Sequence, residues 1–124
     1  MPHRVMVAKE LAELCKLAAH PDRIRIIENL RAGPRDVSTL AETLEISGSR
    51  VSQHLSLLKA HRHVEERREG RHHYYELTQP KLADWLLLGL EFIASKPEPV
   101  SAEDIEAARR EWTSPDEPKW DAAE

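Results

Sequence analysis

Cysteine is almost missing from this sequence, since Cys15 is the single thiol in 124 residues. One thiol cannot form an internal disulfide, and it cannot build a cysteine-based zinc cluster. The sequence also lacks any run of about 18 apolar residues, so no helix is expected to span a membrane. The first residues, MPHRVMVAKELAEL, contain no apolar signal-peptide core, and we therefore expect a cytoplasmic protein.

Aromatic residues are scarce at 5%, whereas charged residues make up 32% of the chain. A chain of this length has room for one lean hydrophobic core. We therefore expect the chain to bury further apolar surface against a partner subunit.

The net charge of −4 is unevenly distributed along the chain. Residues 96–124 carry nine acidic side chains and four basic ones, whereas residues 49–73 carry six Arg and Lys side chains, three Glu and five His. A local basic stretch followed by an acidic tail favours nucleic-acid binding. A solvated surface gives the same pattern, so charge alone leaves both interpretations open.

Apolar spacing and capping residues predict four helices in the first half of the chain. The apolar stripe of the first helix consists of Val7, Leu11, Leu14, Cys15 and Ala18. On this stripe Cys15 is expected to be a small buried hydrophobe rather than a redox sensor. Pro21 begins the second helix, and Asp36 and Ser47 are N-cap candidates for the third and fourth.

The fourth helix is predicted from about Gly48 to His61, with Val51, Leu55 and Leu58 facing inward. After it, HVEERR and HHYYEL are joined by Glu-Gly-Arg and predict a β-hairpin. Two helices with a tight turn, followed by a hairpin, form a winged helix-turn-helix. The expected fold is therefore mainly α with a β-hairpin wing, with five core helices and an acidic C-terminal tail.

A last core helix is predicted over residues 79–95, and it is apolar around most of its circumference. Such a helix is buried on several sides, which a small domain cannot do alone. We expect a homodimer interface made by Leu11, Leu14, Leu82, Trp85, Leu86, Leu90 and Ile93. The expected organisation is a DNA-binding and dimerisation domain at 1–95 and a largely flexible tail at 96–124, with a possible short helix at 102–112.

The chemistry of the exposed side chains fits DNA recognition. The candidate DNA-binding residues are Ser49, Arg50, Ser52, Gln53, His54, Ser56, Arg67, Arg68 and Arg71. Arg50 and Gln53 have side chains suited to bidentate contacts with base edges, while short serines suit phosphates. The wing arginines are expected to contribute mainly charge. His54 lies between inward leucines and is expected to be packed or to contact phosphate.

The stretch SRVSQHLSLLKAHRHVEERREGRHHYYEL resembles the ArsR/SmtB family of bacterial winged-helix repressors. The similar features are Val-Ser-Gln-His-Leu in the recognition helix, the charged glycine turn of the wing, and Tyr-Tyr-Glu-Leu in the return strand. The resemblance covers about residues 10–95 and implies a dimeric DNA-binding repressor. Arg62 and Glu45 depart from it, because each occupies a place where the family usually has glycine.

Many members of that family sense metals, but neither usual metal site can be carried over. Ser38-Thr39-Leu40-Ala41-Glu42 occupies the place of a Cys-x-Cys, and residues 79–95 contain no histidine. His61, His63, His72 and His73 offer an alternative set at the hairpin, although adjacent strand residues point to opposite faces. We expect no metal and no other cofactor, and we leave an unknown small-molecule effector open.

The function that these observations favour is a sequence-specific transcriptional regulator, a dimeric repressor bound to double-stranded DNA at an imperfect palindrome. The alternative is a winged-helix module that binds protein and not DNA. An enzyme is disfavoured, because the sequence contains no nucleophile–base pair, P-loop or paired carboxylate motif.

Overall fold

The computed structural model describes residues 2–94 and 100–113. In chain order the elements are α1 (Pro2–Ala18), α2 (Pro21–Leu30), β1 (Arg35–Asp36), α3 (Val37–Leu44), α4 (Gly48–Ala60), β2 (Val64–Glu69), β3 (His72–Leu77), α5 (Lys81–Ala94) and α6 (Ala102–Thr113). The mainly helical fold with a hairpin wing is confirmed. None of the helices in these two ranges is long and apolar enough to cross a membrane.

The N-terminal ends of α3 and α4 are fixed by the predicted caps. The Asp36 carboxylate accepts a hydrogen bond of 2.7 Å from the Thr39 backbone N–H. The Ser47 hydroxyl oxygen accepts one of 3.1 Å from the Arg50 backbone N–H. Each cap satisfies a backbone donor that has no partner within its helix. The short turn between the two helices is therefore defined at both ends by local chemistry.

Two left-handed residues end α3 and α4. Glu45 has φ of 57° and Arg62 has φ of 62°. After α4, the Arg62 N–H donates to the Lys59 carbonyl and the His63 N–H to the Leu58 carbonyl, each at 2.9 Å. These two bonds form a Schellman motif, which usually has glycine at its left-handed position. The sequence departure at Arg62 therefore leaves the helix ending unchanged and adds backbone strain.

The wing hairpin, β2 and β3, belongs to a three-stranded antiparallel sheet with the order β1-β3-β2, in which β3 is central. In the hairpin Glu66 pairs with Tyr75, and on the other side of β3 Arg35 also pairs with Tyr75. The amino-acid pattern predicts only the hairpin, because the two residues of β1 are too few for an alternating pattern. Strand β1 connects the start of α3 directly to the wing.

The core lies between α2, α3 and α4. Ile26, Leu40, Val51, Leu55 and Leu58 are completely buried. The predicted inward face of α4 is thus confirmed. Burial of these side chains fixes the orientation of α4, and the opposite side of the helix remains in solvent.

Helix α1 is buried only at its last turn, through Leu17 and Ala18. Leu11 is 52% exposed, and Cys15 is exposed as well. The expectation that Cys15 is a buried hydrophobe is therefore wrong for the single chain. An apolar stripe indicates that a helix has a face to bury, and it does not indicate which chain buries it.

Helix α5 divides its apolar surface between the core and solvent. Leu82 and Leu86 are partly buried and pack against the core cluster of their own chain. Their expected contact with a second subunit stays a prediction. Trp85 and Ile93 are each 42% exposed, and Leu88 is 57% exposed. Together with Phe92, which is 72% exposed, they leave apolar surface of α5 in solvent.

Helix α6 occupies the place of the short helix suggested at 102–112 and packs on the domain. Ile105 is buried, and the Trp112 carbonyl accepts a hydrogen bond of 3.1 Å from Nη1 of Arg31, the C-cap residue of α2. The expected tail and linker otherwise fall on residues 95–99 and 114–124, including Trp120, which lie outside the described residues.

Candidate nucleic-acid interface

Helix α4, the recognition helix of the motif, presents a polar face to solvent. Its inward side chains are anchored in the core, so the opposite face carries Ser49, Arg50, Ser52, Gln53 and Ser56, all exposed. The structure brings these predicted residues together on one surface. An α-helix of this kind fits the major groove of B-DNA, where Arg and Gln can read base edges.

The wing carries three exposed arginines whose surroundings differ. Arg67 lies 3.3 Å from Glu69 and 3.8 Å from Glu76, measured from guanidinium nitrogen to carboxylate oxygen. Within residues 2–94 and 100–113, neither Arg68 nor Arg71 forms an ion pair. Nearby carboxylates therefore offset the positive charge of Arg67 more than that of Arg68 or Arg71, a distinction that the sequence does not reveal.

A charged cluster lies under the N-terminal half of α4. Asp22 Oδ2 lies 2.6 Å from Arg50 Nη2 and 3.6 Å from His54 Nε2. Arg23 Nη1 lies 3.4 Å from His54 Nδ1 on the other side of the imidazole. Sequence reasoning missed Asp22 and Arg23, because no periodicity relates the start of α2 to residues 28 positions later.

His54 is a packed residue within this cluster, with 13% of its side chain exposed. Burial lowers its pKa from the ordinary value of 6.5, and the positive charges of His20 and Arg23 lower it further, against the opposing effect of Asp22. His54 is therefore neutral at pH 7. The structure places it in the packed alternative, and its contact with phosphate stays a prediction.

His20, Asp22 and His54 each offer a ligand-type atom, and these atoms lie within 4.8 Å of one another. That spacing is compatible with a metal ion. However, Arg50 already holds the Asp22 carboxylate and Arg23 faces the His54 imidazole. Both guanidinium groups oppose the binding of a further cation at the same atoms, which favours the expectation of no metal. That expectation stays a prediction.

A second ionic cluster connects α4 to the wing. Glu66 in β2 lies 3.0 Å from Lys59 Nζ at the end of α4 and 2.5 Å from His73 Nδ1 in β3. Hydrogen bonds from Lys59 and then His73 hold the pKa of Glu66 below its ordinary value. The lowered pKa favours the ionised carboxylate, which bridges the end of α4 and the two strands of the wing.

Comparison with known proteins identifies the family to which this surface belongs. Residues 20–66 match the family described as bacterial regulatory protein, arsR family. The transcriptional repressor SdpR of Bacillus subtilis is 32% identical over 78 residues, which cover 63% of this chain and 87% of that repressor. The chain belongs to the ArsR family. Family membership places it among DNA-binding transcriptional regulators and not among enzymes.

A further relative and a solved structure are also similar to this chain. The transcriptional repressor SmtB homolog of Synechocystis is 37% identical over 71 residues, covering 57% of this chain and 54% of that protein. The crystal structure of the transcriptional repressor BigR from Xylella fastidiosa is similar at a TM-score of 0.64 and 26% identity. It covers 80% of this chain and 98% of that one. The chain thus spans about half of the Synechocystis relative, whereas the ArsR fold is matched almost throughout the BigR chain.

Proposed function

We propose that this protein is a cytoplasmic, sequence-specific transcriptional repressor. It binds double-stranded DNA at an imperfect palindrome as a homodimer. The observation that carries the proposal is the exposed Ser/Arg/Gln face of α4, which lies beside a wing where Arg68 and Arg71 form no ion pair with any residue that the structure describes. A face for reading bases and a nearby charge for the backbone are the two components of specific DNA binding. The SmtB homolog and SdpR, both similar to this chain, are described as repressors.

The position of each side chain supports a division of roles. Arg50 and Gln53 are exposed on α4 and suit contacts with guanine and adenine, respectively. Ser49 and Ser52 lie in the first two turns of α4, where free backbone N–H groups and short hydroxyls favour phosphate. Arg71 lies on the turn of the wing and contributes charge irrespective of sequence.

The dimer is supported by apolar side chains left in solvent on two helices. On α1, Val5, Met6, Val7 and Leu11 are each more than half exposed. On α5, Trp85, Leu88 and Ile93 are also exposed. Extended apolar surface of this kind is unusual on a monomer. Two-fold symmetry then places two recognition helices about 34 Å apart, one in each half-site of a palindrome.

The test is selection of bound duplexes from a randomised DNA library, followed by affinity measurements on the recovered site and its single-base variants. We expect Gln53→Ala to lose about 1–3 kcal/mol and to relax the preference at one base pair in each half-site. Arg71→Ala is expected to weaken all sequences similarly and to reduce the salt slope by about one per monomer.

Lys81→Ala provides the matched control, because Lys81 is an exposed cation at the start of α5 and belongs to neither α4 nor the wing. It is expected to leave both base preference and salt slope unchanged. A wild-type protein that recovers no motif, or binds DNA without salt dependence, would instead support a protein-binding winged-helix module. An altered base preference in Arg71→Ala with an unaltered one in Gln53→Ala would reverse the assigned roles.

A further inference from the structure

Asp22 connects the start of α2 to the exposed face of the recognition helix. Its Oδ2 atom accepts a hydrogen bond of 2.6 Å from Arg50 Nη2. Only 14% of the Asp22 side chain is exposed, whereas 55% of the Arg50 side chain is exposed. The carboxylate is therefore a largely covered anchor, and the guanidinium reaches from it to the surface that we assign to DNA.

Several contacts hold Asp22 in place. Its backbone N–H donates to His20 Nδ1 at 3.1 Å, which fixes the first turn of α2. The carboxylate lies in that first turn, where the positive end of the helix dipole favours an anion. His54 packs on its other side, with Nε2 3.6 Å from Oδ2. The anchor is therefore immobile compared with the long, flexible side chain that it holds.

An anchored arginine reads DNA differently from a mobile one. A guanidinium group has five N–H donors, and the contact with Asp22 is made through Nη2, so other donors remain for a base. An oriented guanidinium loses less rotamer entropy when it forms a bidentate contact with guanine. A mobile arginine can instead reach any neighbouring phosphate, and phosphate contacts carry no direct sequence information.

We propose that Asp22 is a positioning residue that orients Arg50 towards guanine and thereby sets part of the operator preference. This inference rests on the proposed function and adds a residue of α2, outside the recognition helix, to the determinants of specificity. Asp22 acts through Arg50 and makes no base contact of its own. The carboxylate also partly neutralises Arg50, which lowers the attraction of the protein for DNA of unrelated sequence.

The experiment compares the wild type with Asp22→Asn, Arg50→Ala and the double variant, using the site recovered from the randomised duplex library. In Asp22→Asn we expect discrimination at the base pair read by Arg50 to fall at least about fivefold, the lower limit for a bidentate contact. Binding to unrelated duplex is expected to tighten, with a salt slope steeper by about one per monomer. In the Arg50→Ala background, Asp22→Asn is expected to change neither quantity.

Asp84→Asn is the matched control, because Asp84 forms a 3.0 Å ion pair with Arg31, the C-cap residue of α2, and neither residue is on α4 or the wing. Urea unfolding shows whether each variant folds. Asp22→Glu is the second variant, for use if Asp22→Asn does not fold. It keeps the negative charge and is expected to retain part of the wild-type base preference. A merely structural role predicts equal weakening for all sequences, and that result would overturn the inference.

Two other outcomes separate this inference from the proposed function. The inference alone would be overturned if the wild type recovers a motif and Asp22→Asn leaves that base preference unchanged. It would also be overturned if Asp22→Asn lowers the base preference by the same factor in the Arg50→Ala background as in the wild type. A wild-type protein that recovers no motif would overturn both.

Discussion

Glu45 and Arg62 occupy backbone conformations in which glycine is the least strained residue. Both positions could be recognised in the sequence, because turns and helix ends depend on local chemistry. Asp22 and Glu66 could not be recognised in this way. Asp22 contacts Arg50 in α4, and Glu66 contacts Lys59 in α4 and His73 in β3. Each contact forms only when the two elements pack together in the folded chain.

Replacing Arg62 by glycine is expected to stabilise the protein by about 0.5–1 kcal/mol. A left-handed conformation costs a residue with a Cβ atom roughly 1–2 kcal/mol, part of which the greater flexibility of glycine in the unfolded chain offsets. The measurement is the free energy of unfolding in urea. Ser56→Gly, in the exposed middle of α4, is the control and should destabilise by about 0.5–1 kcal/mol. Loss of stability in both variants would contradict the assigned strain at Arg62.

At the scale of secondary-structure elements, the sequence predicts helices well and their partners less well. Asp36 and Ser47 cap the helices that they were expected to cap, since a cap involves only neighbouring residues. Strand β1 was missed because a two-residue strand exists only through its pairing with β3. The apolar face of α1 is exposed in the single chain, so only the expected burial of Cys15 is wrong there, and the assignment of Leu11 and Leu14 to a dimer interface stays a prediction.

The wing is expected to loosen when Glu66→Gln removes its ionic connection to α4 and β3. Amide hydrogen exchange should accelerate in β2 and β3, while the amides of α2 should keep their protection. Glu65→Gln is the control, because Glu65 lies on the same strand and is exposed. Equal protection of the wing in both variants would show that the cluster at Glu66 does not fix it.

The same cluster gives the wing a pH dependence of known sign. The pKa of Glu66 lies below its ordinary value of 4.5. Around that pH the folded chain therefore binds fewer protons than the unfolded chain, so the carboxylate stabilises the fold above pH 4.5. This contribution is lost as the pH falls through the lowered pKa. In Glu66→Gln, the loss of amide protection in β2 and β3 that this carboxylate causes as the pH falls should be absent.

At the scale of the whole molecule, one chain leaves a large part of its apolar surface uncovered. The exposed side chains of α1 and α5 are those that a second subunit is proposed to cover. Leu86 is among the interface residues that the sequence predicts on α5. Because Leu86 also packs against its own core, a charge there would unfold the subunit as well as separate the dimer.

Leu88→Glu is therefore the sharper test of the dimer. Leu88 is 57% exposed in the single chain, so glutamate is tolerated in a monomer and is costly only where a partner removes it from water. Sedimentation equilibrium should show a dimer for the wild type and a folded monomer for the variant. Leu57→Glu, at a position 37% exposed on α4, is the control and should remain dimeric. An intact Leu88→Glu dimer would place the interface elsewhere.

The strand order β1-β3-β2 has a consequence for the order in which the protein matures during synthesis. The central strand is the last of the three to leave the ribosome, and β1 pairs with Tyr74 and Tyr75, about 40 residues further along the chain. The helix-turn-helix therefore emerges before the strand that supports the start of α3. A nascent chain acquires its complete DNA-reading surface only when the wing has been translated, so an earlier translational pause leaves α3 without this support.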